Sequence, residues 1–160
     1  MSQAALLALS RQPMPLLRRE AGNENKSARG GYVFQEAEGG ERKLTILSTG
    51  SELQLAVQAR DTLQKQGIPT AVVSMPCRLL FEEQDAAYKK AVLGTTRARV
   101  AVEAAVELGW ERYIGLEGRF VGMHSFGASG KMADVYKKFD INAEAVVRAA
   151  HETLAEVAAL

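Results

Sequence analysis

The chain has 160 residues, of which 47% are hydrophobic and 24% are charged; this is ordinary usage for one compact globular domain and excludes wholesale disorder. The formal net charge of +1 gives no electrostatic basis for binding nucleic acid or an anionic membrane surface. No apolar run approaches the roughly 20 residues that cross a bilayer, and the one cysteine, Cys77, excludes an intrachain disulfide, which fits a reducing cytoplasm.

The first thirty residues differ in character from the rest of the chain. Their start has neither the basic region nor the cleavage pattern of a signal peptide. The apolar run Ala4–Leu9 lacks a helical period and predicts a buried strand. Residues 11–29 are rich in basic side chains and contain prolines, glycines and asparagines, which is typical of a linker. We therefore predict a partly disordered segment over residues 1–30 and a domain over residues 31–160.

Short apolar runs at regular intervals predict the strands of that domain. They cover residues 44–48, 70–74, 99–103 and 120–123, preceded by a β-prone run at 32–35. After the strand at 44–48, Ser51 and Gln54 have the spacing of a capping box, apolar residues continue at helical spacing, and Gly67 predicts the helix end. Residues 79–81 and 88–93 predict a broken helical connection.

Two further helices are predicted near the carboxy terminus. The first has Ser129 as its cap, and the second has Asn142 as its cap, with Ile141 and Val146 placed for a hydrophobic staple. Their apolar stripes have the helical period and consist of Met132, Val135, Tyr136 and Phe139, then Val146, Val147, Ala150, Leu154, Val157 and Ala158. Because helical crossovers separate the strands, the sequence predicts an α/β fold, a three-layer αβα sandwich around a mainly parallel sheet of about five strands.

The glycine-rich turns give little support for a phosphate site. Gly130-Lys131 lacks the flanking residues of a Walker loop, and Gly127–Lys131 lacks the second glycine of a nucleophile elbow. The turn Thr49-Gly50-Ser51 could offer backbone N–H groups to an anion, although capping alone explains Ser51.

Ligands of open parallel sheets favour the carboxyl ends of the strands. Four polar or thiol residues follow predicted strands and should lie near that edge: Ser51, Cys77, Glu103 and His124. We take Ser51 and His124 as a candidate anion site. The two histidines, His124 and His151, are not spaced as a metal pair, and Cys77 has no local base to activate it. The residues themselves therefore predict no catalytic group and no metal ligand.

Trp110, Arg112 and Tyr113 form a compact aromatic and cationic group after the third parallel strand. One interpretation is core packing with a surface arginine. The alternative is an arginine–aromatic stack or a subunit contact.

Several groups of residues, correctly spaced, together resemble the carboxy-terminal end of the transketolase family over about Ala5 to Leu154. They are Gly109-Trp110-Glu111-Arg112-Tyr113-Ile114-Gly115, Phe126-Gly127-Ala128-Ser129, Arg11-Gln12, Ser48–Glu52 and Val73–Pro76. One departure is local: many members continue Ala-Pro after the Phe-Gly-Ala-Ser segment, whereas this chain has Gly130-Lys131, at a predicted helix start.

The resemblance implies a third domain preceded by the end of the second, pyrimidine-binding domain. It also implies that the strand at 32–35 is an antiparallel edge strand. The family uses thiamine diphosphate and magnesium to move two-carbon ketol units between sugar phosphates, as a homodimer. Its cofactor-binding Gly-Asp-Gly motif does not occur here, so this chain alone is expected to bind neither cofactor nor metal and to be inactive.

One substrate contact is implied as well. Ser10-Arg11-Gln12 resembles the Ser-Arg-Gln of the family, whose arginine contacts the substrate phosphate, a role that suits a guanidinium fork. In the isolated chain we expect Arg11 to be exposed or disordered and without function.

The sequence leaves several functions open. The favoured one is an assembly domain of a cytoplasmic transketolase of the pentose phosphate pathway, whose partners are its own upstream domains and a second subunit. The others are an anion- or nucleotide-binding regulatory module, or the equivalent domain of a 2-oxoacid dehydrogenase E1 component or of deoxyxylulose-phosphate synthase. The combined Ser-Arg-Gln and Gly-Trp-Glu-Arg-Tyr pattern favours transketolase.

Overall fold

A computed structural model of the chain describes residues 6–10, 13–19, 22 and 24–160. Five strands form one sheet in the spatial order β1-β3-β2-β4-β5. The strands are β1 (Tyr32–Gln35), β2 (Leu44–Ser48), β3 (Thr70–Ser74), β4 (Arg99–Val102) and β5 (Arg119–Val121). Strands β2 to β5 are parallel, and β1 pairs antiparallel with β3 at one edge. The predicted mainly parallel sheet with one antiparallel edge strand is confirmed.

Helices cover both faces of the sheet, as the predicted αβα sandwich requires. They are α1 (Leu53–Lys65), α2 (Arg78–Glu82), α3 (Ala86–Leu93), α4 (Glu111–Ile114), α5 (Met132–Lys138) and α6 (Ala143–Ala158). One face packs against α1 and α6, with α5 beside them, and the other packs against α2, α3 and α4. Every residue of the central strands β2 and β3 is buried, as expected for parallel strands that are covered on both sides.

The alternation of side chains along β2 divides the core into two clusters. Leu44 and Ile46 point to the α1 and α6 side, whereas Leu47 points to the side that carries Phe81 and Trp110. All five side chains are fully buried. Each contributes about 1.5–3 kcal/mol relative to an exposed position, so both helical layers are held on the sheet by hydrophobic burial.

Gly67 ends helix α1, as predicted. Its φ of 77° lies in the left-handed region, which glycine adopts without steric cost. The Gly67 N–H donates to the Gln64 carbonyl and the Ile68 N–H donates to the Leu63 carbonyl, each at 3.0 Å. This pair of bonds is a Schellman motif, and it satisfies carbonyls that the helix end would otherwise leave unpaired.

The predicted start of α6 is also confirmed. The Asn142 side chain accepts a hydrogen bond of 2.7 Å from the Ala145 N–H. Ile141 and Val146, on either side of this cap, are 2% and 0% exposed and belong to the same core cluster. They therefore have the arrangement of a hydrophobic staple.

Two predicted caps are wrong. Residues Gly50–Glu52 form a 3-10 turn, so α1 starts later than predicted and Ser51 accepts no bond as its cap. Instead the Ser51 hydroxyl donates to the Glu52 carboxylate, and the Gln54 amide donates to the Ser51 carbonyl. Helix α5 begins after Lys131 rather than after Ser129 and has no side-chain cap. The extended backbone of Lys131 delays the helix start.

The strand predicted across Ala4–Leu9 is not formed over its described residues. Residues 6–10 have no regular secondary structure, and Leu6, Leu7 and Leu9 are exposed. A lone apolar segment cannot form a ladder without a neighbouring strand. A 3-10 turn at Lys26–Arg29 then leads into the buried Gly30.

The two edge strands are short. β1 contains an irregularity in its pairing with β3 between Val33 and Gln35. β5 has three residues, and its first, Arg119, forms ion pairs with Glu152 at 2.9 Å and Glu156 at 2.8 Å. Both edge strands are therefore short. In addition, the pairing of β1 is irregular, and β5 begins with a charged residue.

Candidate functional site

The strand order reverses between β2 and β4, at the carboxyl edge of the sheet. From β2 the chain passes through α1 to β3 on one side, then crosses back to β4 on the other side. Open α/β sheets bind ligands most often in the crevice at such a reversal. The residues that follow β2 and β4 are therefore the first place to look for a site.

A buried carboxylate occupies this crevice. Glu52 is 5% exposed and accepts hydrogen bonds from the Ser51 hydroxyl at 2.5 Å, from the Ala104 N–H at 3.3 Å and from the Tyr136 phenol. These donors come from the turn after β2, from the loop after β4 and from α5. Burial, together with the hydrogen bond to Glu52, raises the pKa of Tyr136 to about 12. The phenol therefore stays protonated throughout the neutral range and can donate its hydrogen bond to Glu52.

This arrangement bears on the candidate anion site. The hydroxyl of Ser51 and the N–H of Ala104 already donate hydrogen bonds to an anion within the protein, the Glu52 carboxylate. A second negative charge placed beside it would be repelled, and the repulsion is strong where water is excluded. The geometry therefore favours the structural role of Ser51 over an anion-binding role.

His124 is separated from Ser51 by a whole strand. It follows β5, whereas Ser51 follows β2, and β4 lies between them. The His124 side chain is exposed. The candidate site made of these two residues stays a prediction.

Cys77 and Glu103 lie at the carboxyl edge and make structural contacts. The Cys77 N–H donates to the Gly30 carbonyl at 3.0 Å, and its carbonyl accepts from the Phe81 N–H at 3.2 Å. The Glu103 carboxylate accepts a bond of 2.6 Å from the Trp110 indole N–H. Arg11, the predicted phosphate contact, lies outside the described residues.

The aromatic group after β4 is a core cluster with an arginine stack. Trp110 and Tyr113 are 0% and 4% exposed, with their ring centroids 6.0 Å apart. The guanidinium over the indole is that of Arg78, at 5.3 Å, while Arg112 forms an ion pair of 2.9 Å with Glu82. The aromatic rings therefore pack in the core, as the first interpretation has it. An arginine also stacks on Trp110, as the alternative has it, but this arginine is Arg78 and not Arg112.

A cleft of about 220 Å³ lies between α2, α3 and α4, lined in part by Glu82, Lys89, Arg112 and Tyr113. Burial and the hydrogen bond with Glu82 raise the pKa of Tyr113 to about 12. Burial opposes ionisation of Glu82, but the Tyr113 hydrogen bond and the charges of Arg112 and Lys89 lower its pKa overall. The charges in the cleft are therefore already paired within the protein.

Sequence reasoning missed Glu52, Tyr136 and Arg78. Glu52 was visible as an acidic residue directly after a strand-to-helix turn, but its position alone suits a solvated first helical turn. Tyr136 belonged to an apolar stripe, in which its hydroxyl carried no signal. Arg78 lies 30 positions or more from its partners Leu108 and Trp110, so local spacing could not connect them.

Over the described part of the chain, no group of three or more histidine, cysteine, aspartate or glutamate side chains could hold a metal ion. The helices within the same residues are too short or too polar to cross a membrane.

Comparison with known proteins gives a consistent result. Residues 30–142 match the family described as Transketolase-like TK C-terminal domain. A transketolase of Sinorhizobium medicae is 54% identical over 151 residues, which are 94% of this chain and 21% of that protein. The fold matches transketolase from Leishmania mexicana with a TM-score of 0.74 at 39% identity, covering 81% of this chain and 18% of that one.

A transketolase of Pichia stipitis in complex with sedoheptulose 7-phosphate gives a TM-score of 0.75 at 35% identity, covering 84% of this chain and 19% of that one. The chain therefore spans about a fifth of the length of the relatives that it matches.

Proposed function

The chain belongs to the transketolase family, whose carboxy-terminal domain it matches over more than half of its length, and we propose that it is the assembly domain of a thiamine diphosphate-dependent transketolase. In this proposal the whole protein transfers a two-carbon ketol unit between sugar phosphates. The relatives compared above carry the name transketolase, which favours this family over the E1 and deoxyxylulose-phosphate synthase alternatives.

The Glu52 carboxylate in the crevice is the observation that favours an assembly domain over a ligand-binding module. In an open parallel sheet the ligand would lie where Glu52 lies, and here Ser51, Ala104 and Tyr136 are committed to that carboxylate. A regulatory anion or nucleotide would have to displace a buried carboxylate that accepts three hydrogen bonds, and each buried group left without its partner would cost about 1–3 kcal/mol. The geometry therefore supports a domain that acts through its surfaces.

The cofactor does not fit the residues of this chain. Thiamine diphosphate needs a metal ion on its diphosphate, and the described residues hold no cluster of acidic or histidine side chains for it. The Gly-Asp-Gly motif is absent from the whole sequence. We infer that the upstream domains of the parent protein bind cofactor and magnesium, and that the isolated chain catalyses nothing.

Arg11 is the residue of this chain for which we propose a direct contact with the substrate. Its place in Ser10-Arg11-Gln12 and the bidentate fit of guanidinium to phosphate support a contact with the phosphate of the sugar substrate. Such a contact would supply binding energy remote from the reacting carbons.

We further propose a cytoplasmic homodimer that acts in the pentose phosphate pathway. Membership of the transketolase family and the single cysteine support this proposal.

A chimera tests the function directly. The matched segment of the Sinorhizobium medicae transketolase would be replaced by this chain, and transfer from xylulose 5-phosphate would be measured. We expect an active chimera, and an inactive truncated protein that lacks any carboxy-terminal domain. Calorimetry of this chain with thiamine diphosphate and magnesium should show no binding. An inactive chimera, or micromolar cofactor binding by this chain, would contradict the proposal.

A further inference from the structure

Large apolar side chains are exposed on the three segments that follow β3, β4 and β5 at the carboxyl edge of the sheet, namely helix α2 and two loops. Leu79 after β3 is 71% exposed, Val106 and Leu108 after β4 are 52% and 78% exposed, and Phe126 after β5 is 99% exposed. We call these four residues the carboxyl-edge ridge. Single exposed apolar residues are common on protein surfaces, but a group of them marks an interaction site.

Two hydrogen bonds place these three segments side by side. The Arg78 guanidinium donates to the Leu108 carbonyl at 3.2 Å, which joins α2 to the loop after β4. The Met123 N–H donates to the Ala105 carbonyl at 2.9 Å, which joins the loop after β4 to the loop after β5. The members of the ridge therefore follow one another along the sheet edge.

The ridge also has a rigid base. Beneath Leu108, the Arg78 guanidinium lies 5.3 Å from the centre of the buried Trp110 ring. The indole N–H of Trp110 donates to Glu103 at 2.6 Å. Gly109 leaves room for Arg78, because a Cβ there would lie 2.8 Å from its Nη1. A surface held in place in this way loses little conformational entropy on binding a partner.

The chain enters the domain beside the same edge. The Gly30 carbonyl accepts from the Cys77 N–H at 3.0 Å, directly before α2 and Leu79. The Arg29 guanidinium lies 4.6 Å from the centre of the Tyr88 ring, which anchors the entering segment to α3. These contacts place the start of the domain next to Leu79, so the segment that precedes residue 29 approaches the ridge at this end.

We infer that the carboxyl-edge ridge is the docking surface for the domain that precedes this one in the same polypeptide. This inference rests on the proposed function, because the matched relatives are about five times longer than this chain. A tethered neighbour has an effective concentration in the millimolar range, so it occupies the ridge ahead of a second copy or a separate protein.

Hydrogen exchange of the chimera and of the isolated chain tests the inference. In the chimera, peptides covering residues 77–82 and 104–110 should exchange at least about tenfold more slowly than in the isolated chain. A peptide covering residues 115–118, at the opposite edge of the sheet, should exchange equally in both. Protection of the ridge in an active chimera supports the inference.

Matched variants separate docking from folding. Leu79→Asp with Leu108→Asp should return ridge exchange in the chimera to within about twofold of the isolated chain, since apolar anchors dominate such interfaces. Leu116→Asp changes a leucine that is 95% exposed and lies before β5, so it should leave the protection intact. All three side chains are exposed, so thermal melting of the isolated variants should match that of the wild type.

The remaining outcomes overturn the inference in distinguishable ways. An active chimera with an unprotected ridge would refute the docking surface and leave the proposed function standing. An inactive chimera would refute the proposed function, and the docking inference with it. Ridge protection in the isolated chain that grows with protein concentration would assign the ridge to a second copy instead.

Discussion

The phenol of Tyr136 donates a hydrogen bond to the buried carboxylate of Glu52, which precedes it by 84 residues. This contact ties α5, a helix with no buried residue of its own, to the point where the strand order of the sheet reverses. The crevice in which open sheets usually bind ligands is therefore part of the protein interior here. The contribution of each donor to Glu52 can be measured as a change in the free energy of unfolding.

Removing the phenol tests the contact. Tyr136→Phe should destabilise the domain by about 1.5–3 kcal/mol, because a buried carboxylate loses one of its donors. Chemical denaturation monitored by circular dichroism gives the free energy of unfolding. Tyr32→Phe is the control, since Tyr32 is only half-buried, on the edge strand β1, and it should cost less than about 0.5 kcal/mol. Equal losses in the two variants would show that the Glu52 contact is unimportant.

Alkaline pH should weaken the fold through Tyr113 and Tyr136. Their pKa values are raised from 10.0 to about 12 in the folded protein. The unfolded chain therefore loses these protons first, and stability that is complete below pH 10 declines as the pH rises toward 12. The double variant Tyr113→Phe with Tyr136→Phe should show a shallower decline in melting temperature over this interval. Parallel curves for the variant and the wild type would contradict the raised pKa values.

Ser51→Ala distinguishes a donor to Glu52 from an anion site. Loss of the hydroxyl should cost about 1 kcal/mol, and inorganic phosphate should not raise the melting temperature of either protein. Thr62→Ala is a suitable control, because its hydroxyl donates to the Gln58 carbonyl on the exposed surface of α1. A phosphate-dependent rise that Ser51→Asp abolishes would revive the anion site.

Gly30 should be among the most sensitive positions of the chain. A Cβ there would lie 2.2 Å from the Cys77 carbonyl oxygen and 2.3 Å from the Phe81 nitrogen, so Gly30→Ala should cost more than about 3 kcal/mol. Gly39 has a similar φ of 81° but open space around it. Gly39→Ala should therefore cost only the backbone strain of about 1–2 kcal/mol. Similar losses at both positions would mean that the close approach to α2 is relaxed in solution.

Arg11 can be tested only where upstream domains are present. In the chimera, Arg11→Ala should lower kcat/KM for phosphorylated sugars by roughly 10- to 150-fold, the equivalent of a charge-assisted contact of about 1.5–3 kcal/mol. Activity on non-phosphorylated acceptors should be nearly unchanged. Equal losses for both substrate classes would assign Arg11 to the fold or to the cofactor.

The sequence predicted those elements whose signals are local. Apolar runs located the strands, Gly67 located a helix end, and Asn142 located a helix start, since each depends on a few adjacent residues. The predicted caps at Ser51 and Ser129 were wrong because neighbouring residues changed the helix starts. The Ser51 hydroxyl donates to the Glu52 carboxylate instead of accepting a bond from the helix, and α5 begins only after Lys131.

The candidate site was less predictable because its contacts are long-range. Glu52 meets Tyr136 across 84 positions, and the Arg78 side chain reaches Leu108 across 30. Composition and periodicity carry no information on such pairs. They become visible only when the strand order brings the loops of different crossovers to one edge.

The short edges of the sheet have a consequence for handling the domain on its own. An exposed edge strand offers unpaired N–H and C=O groups to any other strand and so invites polymerisation. Here β1 is interrupted between Val33 and Gln35, and the three-residue β5 begins with an arginine whose charge is fixed by Glu152 and Glu156. Neither edge presents a long, flat ladder. Separated from its neighbours, the domain should therefore resist fibre formation, and any self-association should run through side chains rather than through continuation of the sheet.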